Sequence, residues 1–518
     1  MKGPPPPTTA PRRRPRALPT LLLGLSVALA GCASRLPATN AAAEVAVPTR
    51  WSEGGADQAQ SPTSLVSWWQ RFGDAQLSAL IEDGLRHSPT VHAAVAALRQ
   101  SRALADVARA GYSPNVTGSS SAQRSRTASA GTTNTFAVGL NASWEPDLFG
   151  ATRAGVSAAE ADARAAQMSL GNVQISLAAE IALAYIDLRD QQARLTIAER
   201  NLASQDDTLQ ITRWRQQAGL VSALDVEQAA TSAEQTRAQV PVRQAARDQA
   251  RHRLALLTGR APGTLAALGN APVPLPPDDL VMAFPADTLR QRPDVQQTEA
   301  QVRAAWARLV QADAARYPTF SLSGSLGLQA LTLGGLTAGG ALVHTLAAGL
   351  SLPIFDGGAI NATVRAQQAA YEQARANHQS SVLTALQDVE DALVALQGDR
   401  ARIGSLQAAA SAAERADALA RQQYQAGLID FATVLTSQRT LLSAQDSAAS
   451  VRASLANDHV ALYKALGGGW APTSADSDPA TDASANANAN AGTVPGADAA
   501  PEPTAAIVAT PISNAAAR

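Results

Sequence analysis

Arg215-Gln-Gln-Ala-Gly219-Leu220-Val-Ser222-Ala-Leu-Asp225-Val226 and, 208 positions later, Gln423-Tyr424-Gln-Ala-Gly427-Leu428-Ile-Asp430-Phe-Ala-Thr433-Val434 are two versions of one phrase. In each, a Gly ends one long helical pattern, and Ser222 or Asp430 opens the next. A Gly just past a helix C-terminus followed by a Ser or Asp N-cap is the signature of a tight helix–turn–helix. The chain therefore carries two copies of one long helical hairpin.

The copies extend outward from these turns. His87-Ser-Pro89-Thr-Val91 answers Gln291-Arg292-Pro293-Asp294-Val295, and Ala110-Gly-Tyr112-Ser-Pro114 answers Ala315-Arg-Tyr317-Pro318. Each half reads as a helix, two strand-like pieces, a very long helix, a tip and a long helix. Ile181, Leu188, Leu195, Leu202 and Leu209 recur every seven residues, as do Val382, Val389, Leu396, Ile403 and Ala410. A strict seven-residue apolar repeat is a coiled-coil seam. The stripes are narrow, which suits helices touching neighbours on an open wall. No Pro interrupts Ala151 to Ala218, which predicts roughly 100 Å of continuous helix. A lone helix of that length needs partners.

Between Pro114 and Ser143, and between Pro318 and Leu352, the pattern changes. Phe136-Ala-Val138-Gly-Leu140-Asn-Ala142 and Phe320-Ser-Leu322-Ser-Gly-Ser-Leu326-Gly-Leu328 alternate large apolar with small or polar residues. Each matches the 9–11 residues of a tilted membrane β-strand. Leu333 to Leu352 could pass for a membrane helix, but its Gly residues, Thr337, Thr345 and His344 favour strands and a loop. Two strands per half give four per chain, too few to close a barrel. Several chains must then share one.

Arg12, Arg13, Arg14 and Arg16 precede a short apolar run from Ala17 to Leu29, too short for a bilayer span. Leu29-Ala30-Gly31-Cys32 follows, and Cys32 is the only cysteine. This resembles a bacterial lipobox, whose Cys becomes the lipidated first residue; Ala33 then implies sorting to the outer membrane. One cysteine allows no intrachain disulfide. The expected organisation is a signal peptide over 1–31, a lipid-anchored linker over 32–63, a first repeat over 64–270 and a second linker over 271–285. The second repeat covers 286–470. The tail, 471–518, is Ala, Pro, Asp, Asn, Ser and Thr without apolar period, a composition that predicts disorder.

Formal charge is −1, and no clustered basic face points to nucleic acid. The six His are scattered, and His87 and His92 do not share a helix face. No Walker loop or His-Glu-x-x-His motif occurs, so neither a catalytic nor a metal or cofactor site is expected. The carboxylates Asp187, Asp190, Glu199, Asp206, Asp388 and Glu390 read as solvated helix faces with Arg partners.

Several stretches resemble the outer membrane factor family, the TolC-like efflux ducts, and within it the NodT-type lipoproteins. They are Trp68-Trp69-Gln-Arg-Phe72-Gly-Asp74, Arg290-Gln-Arg292-Pro293-Asp294-Val295, Tyr424-Gln-Ala-Gly427 and Leu435-Thr436-Ser437-Gln438. The resemblance spans about Ser64 to Gly468. It implies an α+β membrane protein: a homotrimer with a shared twelve-stranded outer-membrane β-barrel and a long periplasmic α-barrel of coiled-coil hairpins. It also implies tips that meet a periplasmic adaptor and, through it, an inner-membrane transporter, with small solutes leaving passively. The turns at Gly219, Ser222, Gly427 and Asp430 would contact the adaptor. Tyr424 matches the family's tip Tyr and Asp225 its first-half tip Asp. Thr433 and Thr436 stand where the second half carries Asp, which weakens an acidic ring. Asp225 also has a local role open to it, as the carboxylate of a capping box. A periplasmic coiled-coil scaffold lipoprotein would explain the heptads and Cys32 without a pore; it has no use for membrane-length strands.

Overall fold

The computed structural model describes residues 47–48, 50–51, 65–127, 131–277, 289–338 and 342–470. Cys32, the signal segment and the tail lie outside them. A 3₁₀ turn, Trp68–Phe72, leads into α1 (Ala75–His87) and α2 (Pro89–Ala110). Next come β1 (Asn115–Thr127), β2 (Gly131–Trp144), α3 (Ala151–Gln217) and α4 (Ala223–Leu257). The second half repeats the order with α5 (Pro293–Ala314), β3 (Thr319–Ala330), β4 (Leu342–Ser351), α6 (Ala359–Gln425) and α7 (Phe431–Ala465). The duplication is faithful to the residue: α3 and α6 each have 67 residues, α4 and α7 each 35.

The four strands form one antiparallel sheet in the order β1-β2-β3-β4. Its central pairing, Phe136↔Ala330 to Trp144↔Leu322, joins the two halves. The stretch that could pass for a membrane helix is a 3₁₀ turn, Leu333–Leu336, followed by β4.

The core sits where the short elements wrap the middle of α3. Trp68, Leu77, Ile81, Ile181, Tyr185 and Tyr463 are all buried there, and Trp68 stacks on Tyr463 at 5.2 Å. The one helical window apolar enough by composition to cross a membrane, among the described residues, lies in α3 and is mostly buried. Belt packing accounts for that hydrophobicity. Away from the belt the helices carry mainly Ala and polar residues, and the seam thins: Ile181 and Leu188 are buried, Leu202 and Ile403 only partly.

Burial overturns the solvated reading of Asp190. This residue is 7% exposed, is paired with Arg194 at 2.8 Å, and burial pushes its carboxyl up. The cause is the second half: Asp446 of α7 lies across α3 here and shares Arg194. Asp206, paired with Arg237 at 2.7 Å, is on a solvated face as expected. Arg189, beside Asp190, is 1% exposed. Its guanidinium donates to Gln192 Oε1 at 2.9 Å, Tyr185 Oη and Gln76 Oε1 at 2.6 Å, and the carbonyl of Gly269, tying α1 and the segment after α4 to α3. Trp51, just before the belt, is buried against Val389, Leu393, Leu396, Leu455 and Leu462. The N-terminal segment is thus strapped onto the second hairpin.

Candidate functional site: the helical tips and the membrane sheet

Both tips close by the same backbone device. Gly219 (φ 72°) and Gly427 (φ 75°) adopt the left-handed region that side chains disfavour. Leu220 N–H then reaches the Arg215 carbonyl at 2.8 Å, and Leu428 N–H that of Gln423 at 2.9 Å. This is the Schellman closure, which satisfies orphan carbonyls at a helix end. The next helix is capped at once. Ser222 Oγ accepts from Asp225 N–H at 3.2 Å while Asp225 accepts from Ser222 N–H at 3.0 Å, a complete capping box. Asp430 accepts from Thr433 N–H at 2.9 Å, and the Thr433 hydroxyl and amide hold its carboxyl below the usual range.

Each residue picked from the sequence therefore has a location. Asp225 is engaged by its own helix end. Thr433 serves the Asp430 cap, and Thr436 donates to the Ala432 carbonyl at 2.9 Å, so neither presents a free carboxylate substitute. Tyr424 is buried, with its ring 5.5 Å from Phe431, and its hydroxyl has no hydrogen-bond partner among the described residues. The structure does not bring Tyr424 and Asp225 together by a hydrogen bond. Arg215 takes that place. Its guanidinium lies 4.6 Å above the Tyr424 ring and donates to the Tyr424 carbonyl. One side chain thus links the end of the first hairpin's long helix to the end of the second's. Arg215 stands inside the repeated turn, yet only the fold shows what it touches.

Above the tip, polar contacts sit beside the apolar cluster of Leu209, Val434 and Leu435. Gln438 donates to Thr208 Oγ1 at 3.0 Å, and Asn201 to Gln445 Oε1 at 2.8 Å. Asp417 is 1% exposed beside Arg421, and burial pushes its carboxyl up. Such polar contacts cost less to separate and re-wet than the apolar ones beside them.

A second acidic feature lies nearer the belt. Asp458 of α7 stands beside Asp399 of α6, and its carboxyl is pushed up to about 6, first by burial and then by that neighbour. The fold favours the protonated form. Stability from this group is therefore full below about pH 4, the ordinary carboxylate value, and is lost as pH rises through about 6. The Asp458→Asn variant should show a melting temperature without that fall. The wild type should lose on the order of 1 kcal/mol per chain across the window, discounted for solvent access. Parallel pH profiles for the two would show the carboxyl is inert.

The sheet has two unlike faces. Paired residues share a face, so Val138, Leu140, Leu326, Leu328, Leu346 and Leu350 lie on one side. All six are exposed. The other side carries Thr117, Ser119, Asn141, Ser321, Ser325 and Thr345, so it is hydroxyl-rich and uncharged. From Trp144 to Phe136 the apolar side runs about 27 Å along the strand, matching a bilayer's apolar band. At the helical end sits an aromatic girdle. Trp144 Nε1 donates to the Tyr112 carbonyl at 3.0 Å, and Phe149 stacks on Tyr317 at 5.2 Å. The outer edges of β1 and β4 have no strand partner among the described residues. In lipid such edges must be paired. No group of three or more His, Cys, Asp or Glu able to hold a metal occurs among the described residues.

An open-edged sheet with one lipid face and one wet face, borne on helical hairpins many turns long, defines a class: channels that cross a membrane and extend far beyond it. The chain matches the outer membrane efflux protein family over residues 80–260 and 284–468. It is 31% identical to nodulation protein T of Rhizobium leguminosarum bv. viciae, over 83% of this chain and 89% of that protein. Identity to the pyoverdine export outer membrane protein OpmQ of Pseudomonas aeruginosa is 30%, over 82% and 92%. The solved outer-membrane channel OprN superposes with a TM-score of 0.76 at 32% identity, covering 85% of this chain and 98% of that one. The open-state MtrE channel of Neisseria gonorrhoeae gives 0.76 at 26% identity, covering 84% and 98%. The chain belongs to the outer membrane efflux protein family. It is an outer-membrane efflux channel, of the kind that serves tripartite pumps, and the scaffold alternative is set aside. The family's members are transport proteins, and their solved structures are trimers.

Proposed function

We propose that three copies of this chain make one exit duct. The observation that carries this is the four-stranded sheet with one apolar face and two open edges. Three such sheets joined β4 to β1 satisfy every edge and give twelve strands, enclosing the hydroxyl-rich face as the lumen. That lining has no charge to select by sign, and it suits small organic solutes of mixed polarity. The relatives' names fit such breadth: they include pyoverdine export, toluene efflux and antibiotic efflux channels. Energy comes from an inner-membrane transporter, reached through a periplasmic adaptor that docks on the tips around Gly219, Ser222, Gly427 and Asp430.

The tip is a gate held by Arg215 on Tyr424, with Asp225 and Asp430 shaping the turns. A single cation–π contact plus a charged hydrogen bond is worth about 2–4 kcal/mol per chain. An adaptor that binds the open arrangement can outweigh that. The polar contacts of Thr208 and Gln438 can be re-wetted as the hairpins move, while the cluster of Leu209, Val434 and Leu435 adds to the closed form.

The chain is lipid-anchored at Cys32. Val47 packs against Leu289, Val295 and Val382, at the belt. The stretch from Cys32 to Val47 can span at most roughly 50 Å. Val47 lies near Arg164, about 20 Å along α3 from its membrane end, so the tether is long enough. The test is labelled palmitate: the wild type should take it up and Cys32→Ser should not. Label retained in Cys32→Ser would sink the anchor, while membrane fractionation should survive through the barrel.

A further inference from the structure

The two β-hairpins hold almost no charge. Across 115–144 and 319–351 there is no Asp, Glu or Lys; the only formal charges are Arg124 and Arg126. Both are on β1 and both are exposed. The unbroken register, Ala122↔Phe136, Arg124↔Asn134, Arg126↔Thr132, puts them on the face that carries Val138 and Leu140. They begin one step past Phe136, where the apolar band ends, at the end of the sheet away from the helices. No carboxylate in either hairpin can neutralise them.

A pair of guanidinium groups with no ion-pair partner among the described residues would be ordinary if it faced the lumen or the turn. Here it faces outward, at the height where lipid headgroups begin. Arginine stems can lie along apolar surface while the head reaches the interface. The guanidinium fork matches phosphate oxygens in two-point geometry and is only weakly hydrated. Spacing of two along a strand places the heads roughly 7 Å apart, within reach of one diphosphorylated headgroup.

We propose that Arg124 and Arg126 form a binding site for the phosphates of an outer-leaflet lipid, a phosphorylated glycolipid held against the barrel wall at its extracellular rim. This rests on the reading of the apolar face as the lipid face. The trimer would carry three such sites, each on the β1 that meets the neighbour's β4, so a bound lipid would staple the subunit seam. The opposite rim differs in kind: it is anchored by Trp144, Tyr112, Phe149 and Tyr317, rings rather than charges. The barrel is thus fixed by aromatics on one side and by phosphate on the other.

The test uses the full-length trimer in neutral detergent, with diphosphoryl lipid A as probe and native mass spectrometry or a fluorescent-lipid titration as readout. Each arginine near a charged surface gives about a five-fold gain in affinity, so the Arg124→Gln/Arg126→Gln double variant should bind roughly 25-fold more weakly. Either single variant should fall between, and Arg124→Lys should keep more affinity than Arg124→Gln. Fully dephosphorylated lipid A should bind wild type and double variant alike and weakly. Trimer melting without lipid should not change in the double variant, which separates this site from folding. If the double variant binds diphosphoryl lipid A as well as the wild type does, the proposal is overturned. It is also overturned if free pyrophosphate binds as tightly as the lipid, since that marks an anion site with no membrane component. Failure of Leu140→Arg to assemble supports the lipid-face reading on which the site rests; a sheet that tolerates that charge removes its basis.

Discussion

Leu140→Arg is expected to abolish assembly in the outer membrane. Leu140 is 54% exposed on the apolar face, beside Leu326, near the middle of the band. An arginine facing lipid at the midplane costs about 2–4 kcal/mol. Three copies raise this to roughly 6–12 kcal/mol per barrel, comparable with the whole stability of an ordinary domain. Asn141→Arg is the control one residue away. It faces the hydroxyl-rich side, where water solvates the new charge, so the trimer should form and only the lumen should change. Fractionation and heat-modifiable gel mobility read both variants. If the two behave alike, the sheet has been assigned the wrong face.

Arg215→Ala is expected to open the tip. Its guanidinium donates to the Tyr424 carbonyl and lies over the Tyr424 ring across the two hairpins. Losing about 2–4 kcal/mol per chain shifts a two-state gate by roughly 30- to 1000-fold per link. In planar bilayers the variant should show larger and longer openings than the wild type. Tyr424→Phe should conduct like the wild type, because the hydroxyl makes no hydrogen bond among the described residues while the ring and carbonyl remain. That pair of results separates this latch from one built on a phenol–carboxylate bond through Asp225. Opening caused by Tyr424→Phe, with Arg215→Ala silent, would reverse the assignment.

Much of this architecture was legible because it is periodic. Seven-residue spacing from Ile181 to Leu209 marks the wall helix. Alternation through Phe136, Val138 and Leu140 marks the strand and which face meets lipid. Turn chemistry at Gly219–Ser222 and Gly427–Asp430 locates the tips almost to the residue. What stayed hidden depends on contacts between distant segments. Arg215 looks like one more helix cation until α6 lies beside it. Asp190 reads as solvated because nothing local reveals that α7 covers it, and the burial of Arg189 beside it is set by α1 and the segment around Gly269. Asp225 was open to two roles, and the geometry shows the cap, a local interaction, while giving the cross-hairpin link to another residue. Trp51 sits in a stretch whose composition reads as linker; its burial is set by an apolar cluster more than 300 residues downstream.

The central claim is that the pore belongs to three chains and to none singly. Native mass spectrometry of the detergent-purified protein tests it most directly. The account predicts one dominant species of three chains, each with its sheet edges paired. A monomer that retains its strands would contradict it, because four strands with open edges cannot stand in lipid alone.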